Sequence, residues 1–119
     1  MYRPLLYLLM ACALSLAARS DRWGPLGGGG NEYQDYLDQE SVKRSGNKVT
    51  LWTRRDFVTQ QRTVWHEIEV DCSSKRRTIL AYVQDDAGTI SHNATRPHRG
   101  AAAIPPDSIE QRIFDLVCR

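Results

Sequence analysis

Histidine is scarce in this chain: three in 119 residues, His66, His92 and His98. No serine elbow or free nucleophilic cysteine accompanies them, so a catalytic triad or dyad has no residues to stand on. His92 and His98 with Asp85 or Asp86 match no established ligand spacing. The expectation is surface histidines, with no metal and no cofactor. An excess of one charge is missing as well. The 16 basic and 14 acidic residues leave a net +2, with no acidic or basic tail, so nucleic acid is not an expected partner. Long apolar runs are also absent. Residues 5–16 form the longest one, about a dozen residues where a membrane span needs roughly 20.

That run has its own meaning. It follows the positive Arg3 and leads into Ser15-Leu16-Ala17, small residues at the positions a signal peptidase reads. We therefore expect a signal peptide over residues 1–18, a single domain over 19–119, and export to the periplasm or cell surface. An alternative lies in Leu9-Met10-Ala11-Cys12, which resembles a bacterial lipobox, although Met10 fits that pattern poorly. Cysteine usage agrees with export. Three cysteines are an awkward number in an oxidising compartment, but loss of Cys12 with the leader leaves the pair Cys72 and Cys118. A bridge between them closes a loop of about 46 residues, worth on the order of 4 kcal/mol in the chain-entropy model. Asp71 beside Cys72 would raise a free thiol's pKa, which argues against an activated nucleophile there.

The pattern of the mature chain is mostly that of strands. Residues 65–83 read as a hairpin. In the first arm Ile68, Val70 and Cys72 alternate with Glu67, Glu69 and Asp71. In the second, Ile79, Ala81 and Val83 face one way, and Leu80 and Tyr82 the other. Ser73, Ser74, Lys75, Arg76 and Arg77 supply the polar connection. Earlier, residues 21–26 with Trp23 and Pro25 form an edge strand, and Gly27 to Gly30 a turn. That glycine run lacks the Lys-Ser/Thr and the helix of a phosphate cradle. Gly46-Asn47 signals another turn before a strand holding Val49, Leu51 and Trp52 that runs on to Phe57. Residues 58–63 read as a loop, Asp85-Asp86-Ala87-Gly88 as a turn, and residues 89–92 as a short strand.

Residues 93–103, with Pro97 and Gly100 and no periodicity, read as a loop. Asn93-Ala94-Thr95 matches a glycosylation sequon, a short match common by chance. Ser108 and Gln111 form a capping box that starts the last helix. Its stripe is Ile109, Ile113, Leu116 and Val117, with Cys118 at the end. Strands followed by one terminal helix make an α+β domain.

Binding candidates are charge clusters and aromatics. Lys75, Arg76 and Arg77 sit at the hairpin tip, Arg54 and Arg55 on a strand, and Lys43 and Arg44 before a turn. Grouped on one face they could hold sulfated glycans or acidic protein segments. The competing reading is solvated loop charge. Trp23, Trp52 and Trp65 divide similarly, between binding hot spots and core filling.

In order along the chain, Trp23-x-Pro25, Tyr36-x-Asp38, Ser41-Val42 and Gly46-Asn47-x-Val49-x-Leu51-Trp52 resemble the first half of the surface-adhesin protein E family. The second half is carried by Glu67 to Cys72, Arg77 with Ile79-Leu80, Gly88-Thr89-Ile90, Ile104 to Ile109, and Val117-Cys118. The resemblance implies an exported Gram-negative domain. Its fold would be an antiparallel sheet of about five to six strands with one C-terminal helix on its concave face. A disulfide between Cys72 and Cys118 would lock it. The family's founding member is a lipoprotein adhesin that binds host matrix and serum proteins and forms dimers. The resemblance thus implies a non-enzymatic binding protein with host matrix proteins as partners and a possible homodimer. The alternative is a periplasmic accessory domain of the envelope with no host ligand. One departure stands out. Many relatives carry a tryptophan shortly before Ile-Pro-Pro, where this chain has Ala101, Ala102 and Ala103.

Overall fold

Tight polar turns make neighbours in sequence neighbours in space. In the computed structural model, which describes residues 22–119, the strands are β1 (Trp23–Gly28), β2 (Tyr33–Asp38), β3 (Lys43–Ser45), β4 (Lys48–Phe57), β5 (Arg62–Asp71), β6 (Arg76–Asp86) and β7 (Thr89–Ala103), followed by helix α1 (Ile109–Val117). They form one antiparallel sheet in the order β1-β2-β4-β5-β6-β7, with β3 also on β4. The expected signal peptide and Cys12 lie outside the described residues.

Turn chemistry explains several connections. Gly46 and Gly88 take positive φ, 59° and 92°, where a side chain would be strained. At the β5–β6 turn the Asp71 carboxylate accepts from the Ser73 and Ser74 backbone N–H groups and the Ser73 hydroxyl. These bonds, the Ser73 hydroxyl's first among them, hold the carboxyl below its usual range.

The core lies between α1 and one face of the sheet. Val49, Leu51, Ile68 and Val70 from β4 and β5 meet Leu26, Leu37, Ile104, Ile113 and Val117. Cys72 and Cys118 form a disulfide, with Cα atoms 5.5 Å apart. It ties the end of β5 to the end of α1. Ser108 accepts from the Gln111 N–H, the capping bond the sequence predicts. Further ties are Arg44 to the Val117 carbonyl and Arg112 to the Leu26 carbonyl. We call the side under α1 the helix face and the opposite side the outer face.

The α+β class stands, but the sheet has seven strands rather than five to six. The largest difference is β7. Residues 93–103, expected to be a loop, continue the strand begun at Thr89. β7 is at the sheet's edge, and its register against β6 shifts three times, including on both sides of Ile79. Pro97 falls between the paired residues Thr95 and Arg99. An edge strand with bulges tolerates a proline that a central strand would not. The loop expected over residues 58–63 is shorter, because Arg62 and Thr63 already pair in β5.

Two expected faces also change. Across β5 and β6, Ile68 pairs with Ile79 but Glu67 pairs with Ala81, so Leu80 is the extra residue of a β-bulge. Side chains directly opposite share a face, and a bulge reverses the alternation beyond it. Ile79 therefore stays on the helix face while Ala81 and Val83 turn to the outer face. Tyr82 turns to the helix face, its ring 5.2 Å from that of His66. In α1, Ile109, Ile113 and Val117 face the core with Phe114, whereas Leu116 is 48% exposed.

Candidate functional site

Strand pairing assembles a patch on the outer face that no local segment contains. One cross-strand row reads Pro25, Tyr36, Arg54, Trp65 and Val83 on β1, β2, β4, β5 and β6. The adjacent row holds Trp23, Asp38, Trp52, Glu67 and Ala81. All three tryptophans are thus half-buried on the face away from the core. With Arg22, Asp38, Val83 and Ile90 they line an open groove of about 410 Å³. Ile90 is 55% exposed.

The groove's walls are held in place. The Arg54 guanidinium carbon lies 4.4 Å from the Tyr36 ring and 4.9 Å from the Trp23 ring, a cation between two aromatic faces. Its Nε is 3.1 Å from Asp56. Asp38 is 1% exposed and accepts two bonds from Arg22, at 2.9 and 2.7 Å. It also accepts from the Glu40 N–H. The Arg22 bonds hold the Asp38 carboxyl below its usual range, against the opposing cost of burial. Ser41 links Asp38 to Trp52 within the second row, its hydroxyl donating to the Asp38 carbonyl and accepting from the Trp52 N–H.

The helix face has a polar seam beside its core. Arg55 makes a two-bond pair with Asp35, at 2.7 and 2.9 Å, and its guanidinium carbon is 3.9 Å from the Tyr33 ring. Asp35 is 5% exposed. Its hydrogen bonds keep Arg55 more firmly protonated. Arg77 lies 3.9 Å from Glu110 of α1. Asp35, Arg55, Arg77 and Glu110 border a cavity of about 160 Å³ beneath the helix.

Of the seven cations singled out by sequence, Lys43 and Arg44 are exposed on β3, and the other five are divided. Arg54 is on the outer face between two rings, while Arg55 and Arg77 are on the helix face in ion pairs. Lys75 and Arg76 are exposed at the β5–β6 turn. Lys75 sits 5.6 Å from the Phe114 ring, and Arg76 donates to the Ala101 carbonyl. The structure brings Lys75 and Arg76 together and places Arg54 apart from Arg55. Adjacent strand residues point to opposite faces, so that separation was legible in principle. Sequence reasoning missed Tyr36, Asp38 and Arg22. Their only signal was the Tyr36-x-Asp38 spacing, which puts both on one face of a strand.

A family model for surface-adhesin protein E matches residues 23–119, the whole described sheet and helix. This chain belongs to the surface-adhesin protein E family. No curated protein and no solved structure matches it. The family match spans both faces and both cysteines of the disulfide, so it concerns the complete fold and not one motif. Among the described residues of this adhesin E domain, no three His, Cys, Asp or Glu side chains cluster as metal ligands would. No described helix is long and apolar enough to cross a membrane.

Proposed function

We propose that this adhesin E domain is a non-enzymatic, exported surface protein that holds a host matrix glycoprotein on its outer face. The observation that carries the reading is the position of Trp23, Trp52 and Trp65. A sheet with one core normally hides its large aromatics there, yet all three sit on the opposite, open face. Half-buried aromatics clustered with an arginine on an open face are the composition of a binding hot spot. Lys75 and Arg76 at the β5–β6 turn offer a second contact, to sulfated glycans or acidic protein segments. Arg54 and Arg55 would contribute to it only through their effect on neighbouring rings and carboxylates.

The test is binding of the purified, oxidised chain to immobilised laminin, vitronectin and heparin at rising salt. Saturable binding to a matrix protein that is lost in Trp52→Ala supports the outer-face reading. Binding that disappears at high salt and in Lys75→Glu/Arg76→Glu assigns the contact to the turn. No binding by a folded sample removes the host-ligand reading and leaves an envelope domain of adhesin fold.

A further inference from the structure

We propose that the outer-face groove takes uncharged pyranose rings of an oligosaccharide, an inference that rests on the adhesin reading and names the ligand class of its surface. Size is the first argument. A volume of about 410 Å³ falls in the roughly 300–1,000 Å³ range of small-ligand sites. The seven residues that line it are few beside the roughly 20–30 a side of a standard protein interface.

Chemistry is the second. An indole presents a flat apolar plate with a negative face. A pyranose ring presents a flat side of polarised C–H bonds and a rim of hydroxyls, so stacking requires hydrogen-bond donors and acceptors at the edge of the plate. The groove supplies both. Two Arg22 nitrogens hold Asp38, and half of the Arg22 side chain remains open to solvent. A guanidinium has five N–H donors in a fixed plane, which leaves donors for ring hydroxyls.

Charge complementarity is the third. Arg22 is matched by Asp38 and, at 3.5 Å, by Glu40. Arg54 is matched by Asp56. Two cations face these three carboxylates and Glu67 of the second row, so nothing at the groove draws a sulfated or carboxylated sugar. A cationic ligand meets a different obstacle, since Arg54 already lies between Trp23 and Tyr36. What remains is a neutral ring. The site is also built in advance: Asp38 is almost fully buried, and Ser41 bridges it to the Trp52 backbone. Side chains already held in place lose little freedom on binding.

The experiment uses the full oxidised chain in two assays. An array of neutral and sulfated oligosaccharides is probed directly, with any ligand followed by indole fluorescence. In parallel, binding to native laminin is compared with binding to enzymatically deglycosylated laminin. The expected result is saturable binding of a neutral oligosaccharide that is insensitive to salt, with weaker binding to the deglycosylated protein. Trp52→Ala or Trp65→Ala should weaken it about tenfold. Trp52→Phe keeps an aromatic in the packing and should fall between, while Leu116→Ala, at an exposed position of α1 on the other side of the sheet, should leave it unchanged. Undiminished binding to deglycosylated laminin, with no neutral sugar bound, overturns the saccharide inference and leaves the adhesin reading standing. Neutral-sugar binding that survives every tryptophan variant overturns the assignment to this groove. Failure to bind native laminin, vitronectin and every glycan overturns both readings.

Discussion

Asp38 shows how much a single side chain can organise. Its carboxylate joins Arg22 to the backbone of Glu40 and forms one wall of the outer groove. Its folded pKa lies below the ordinary carboxylate value, first because Arg22 hydrogen-bonds it. A depressed folded pKa means that the unfolded chain binds the proton more readily. The stabilisation is therefore present above the unfolded pKa of about 3.9 and is lost as pH falls through the lower folded value. Asp38→Asn should destabilise the domain by about 1.5–3 kcal/mol at neutral pH, the range for a charged hydrogen bond. It should also shrink the drop in thermal midpoint between neutral and acid pH, read by circular dichroism melts. An acid limb as steep as the parent's would assign that pH dependence to other groups. The turn carboxylate Asp71 is depressed in the same direction.

At the scale of elements, α1 and the β5–β6 hairpin repay attention. The capping box placed the helix start correctly, and Ser108 accepts from Gln111 as expected. The stripe Ile109, Ile113, Leu116 and Val117 is one residue wider than the face that α1 buries. Ile113 is 3% exposed and Leu116 48%, because Phe114 packs against the core where Leu116 was expected. Ile113→Ala should cost about 2–5 kcal/mol, while Leu116→Ala should change stability by less than about 0.5 kcal/mol. Chemical denaturation of the two variants decides between the narrow and the wide stripe. The disulfide spans a sequence separation of 46, so Cys118→Ser should remove up to about 4 kcal/mol. Amides of α1 should lose hydrogen-exchange protection first. The hairpin was harder to read. Its two arms were plain from alternation, but the bulge at Leu80 was not. A single unpaired residue leaves no mark in a run of apolar side chains such as Ile79-Leu80-Ala81, yet it decides which face Val83 reaches.

For the whole molecule, strand position in the sheet sets which amides open together. β4 and β5 are flanked on both sides, whereas β7 pairs only with β6 across a shifting register. Native-state exchange should therefore be slowest in β4 and β5, and β7 should open at lower free energy than the sheet centre. Equal protection across all strands would show that β7 is part of the cooperative core. β7 also illustrates why a strand can be invisible in sequence. Its residues include Pro97 and Gly100 and lack alternation. Its pairing comes from the neighbouring strand and not from its own propensity, which for strands is a weak and context-dependent preference.

The sequence by itself determined the α+β class, the terminal helix with its cap, the central hairpin and the Cys72–Cys118 pair. All of these are local patterns, or follow from counting a residue type so rare that few pairings exist. The candidate site is different. Trp23, Tyr36, Asp38, Arg54 and Trp65 lie on four strands, and their meeting depends on register. A shift of one residue in any strand would send its side chain to the opposite face. Only the tertiary structure decided that the three tryptophans lie on the outer face and line one groove with Arg22 and Asp38.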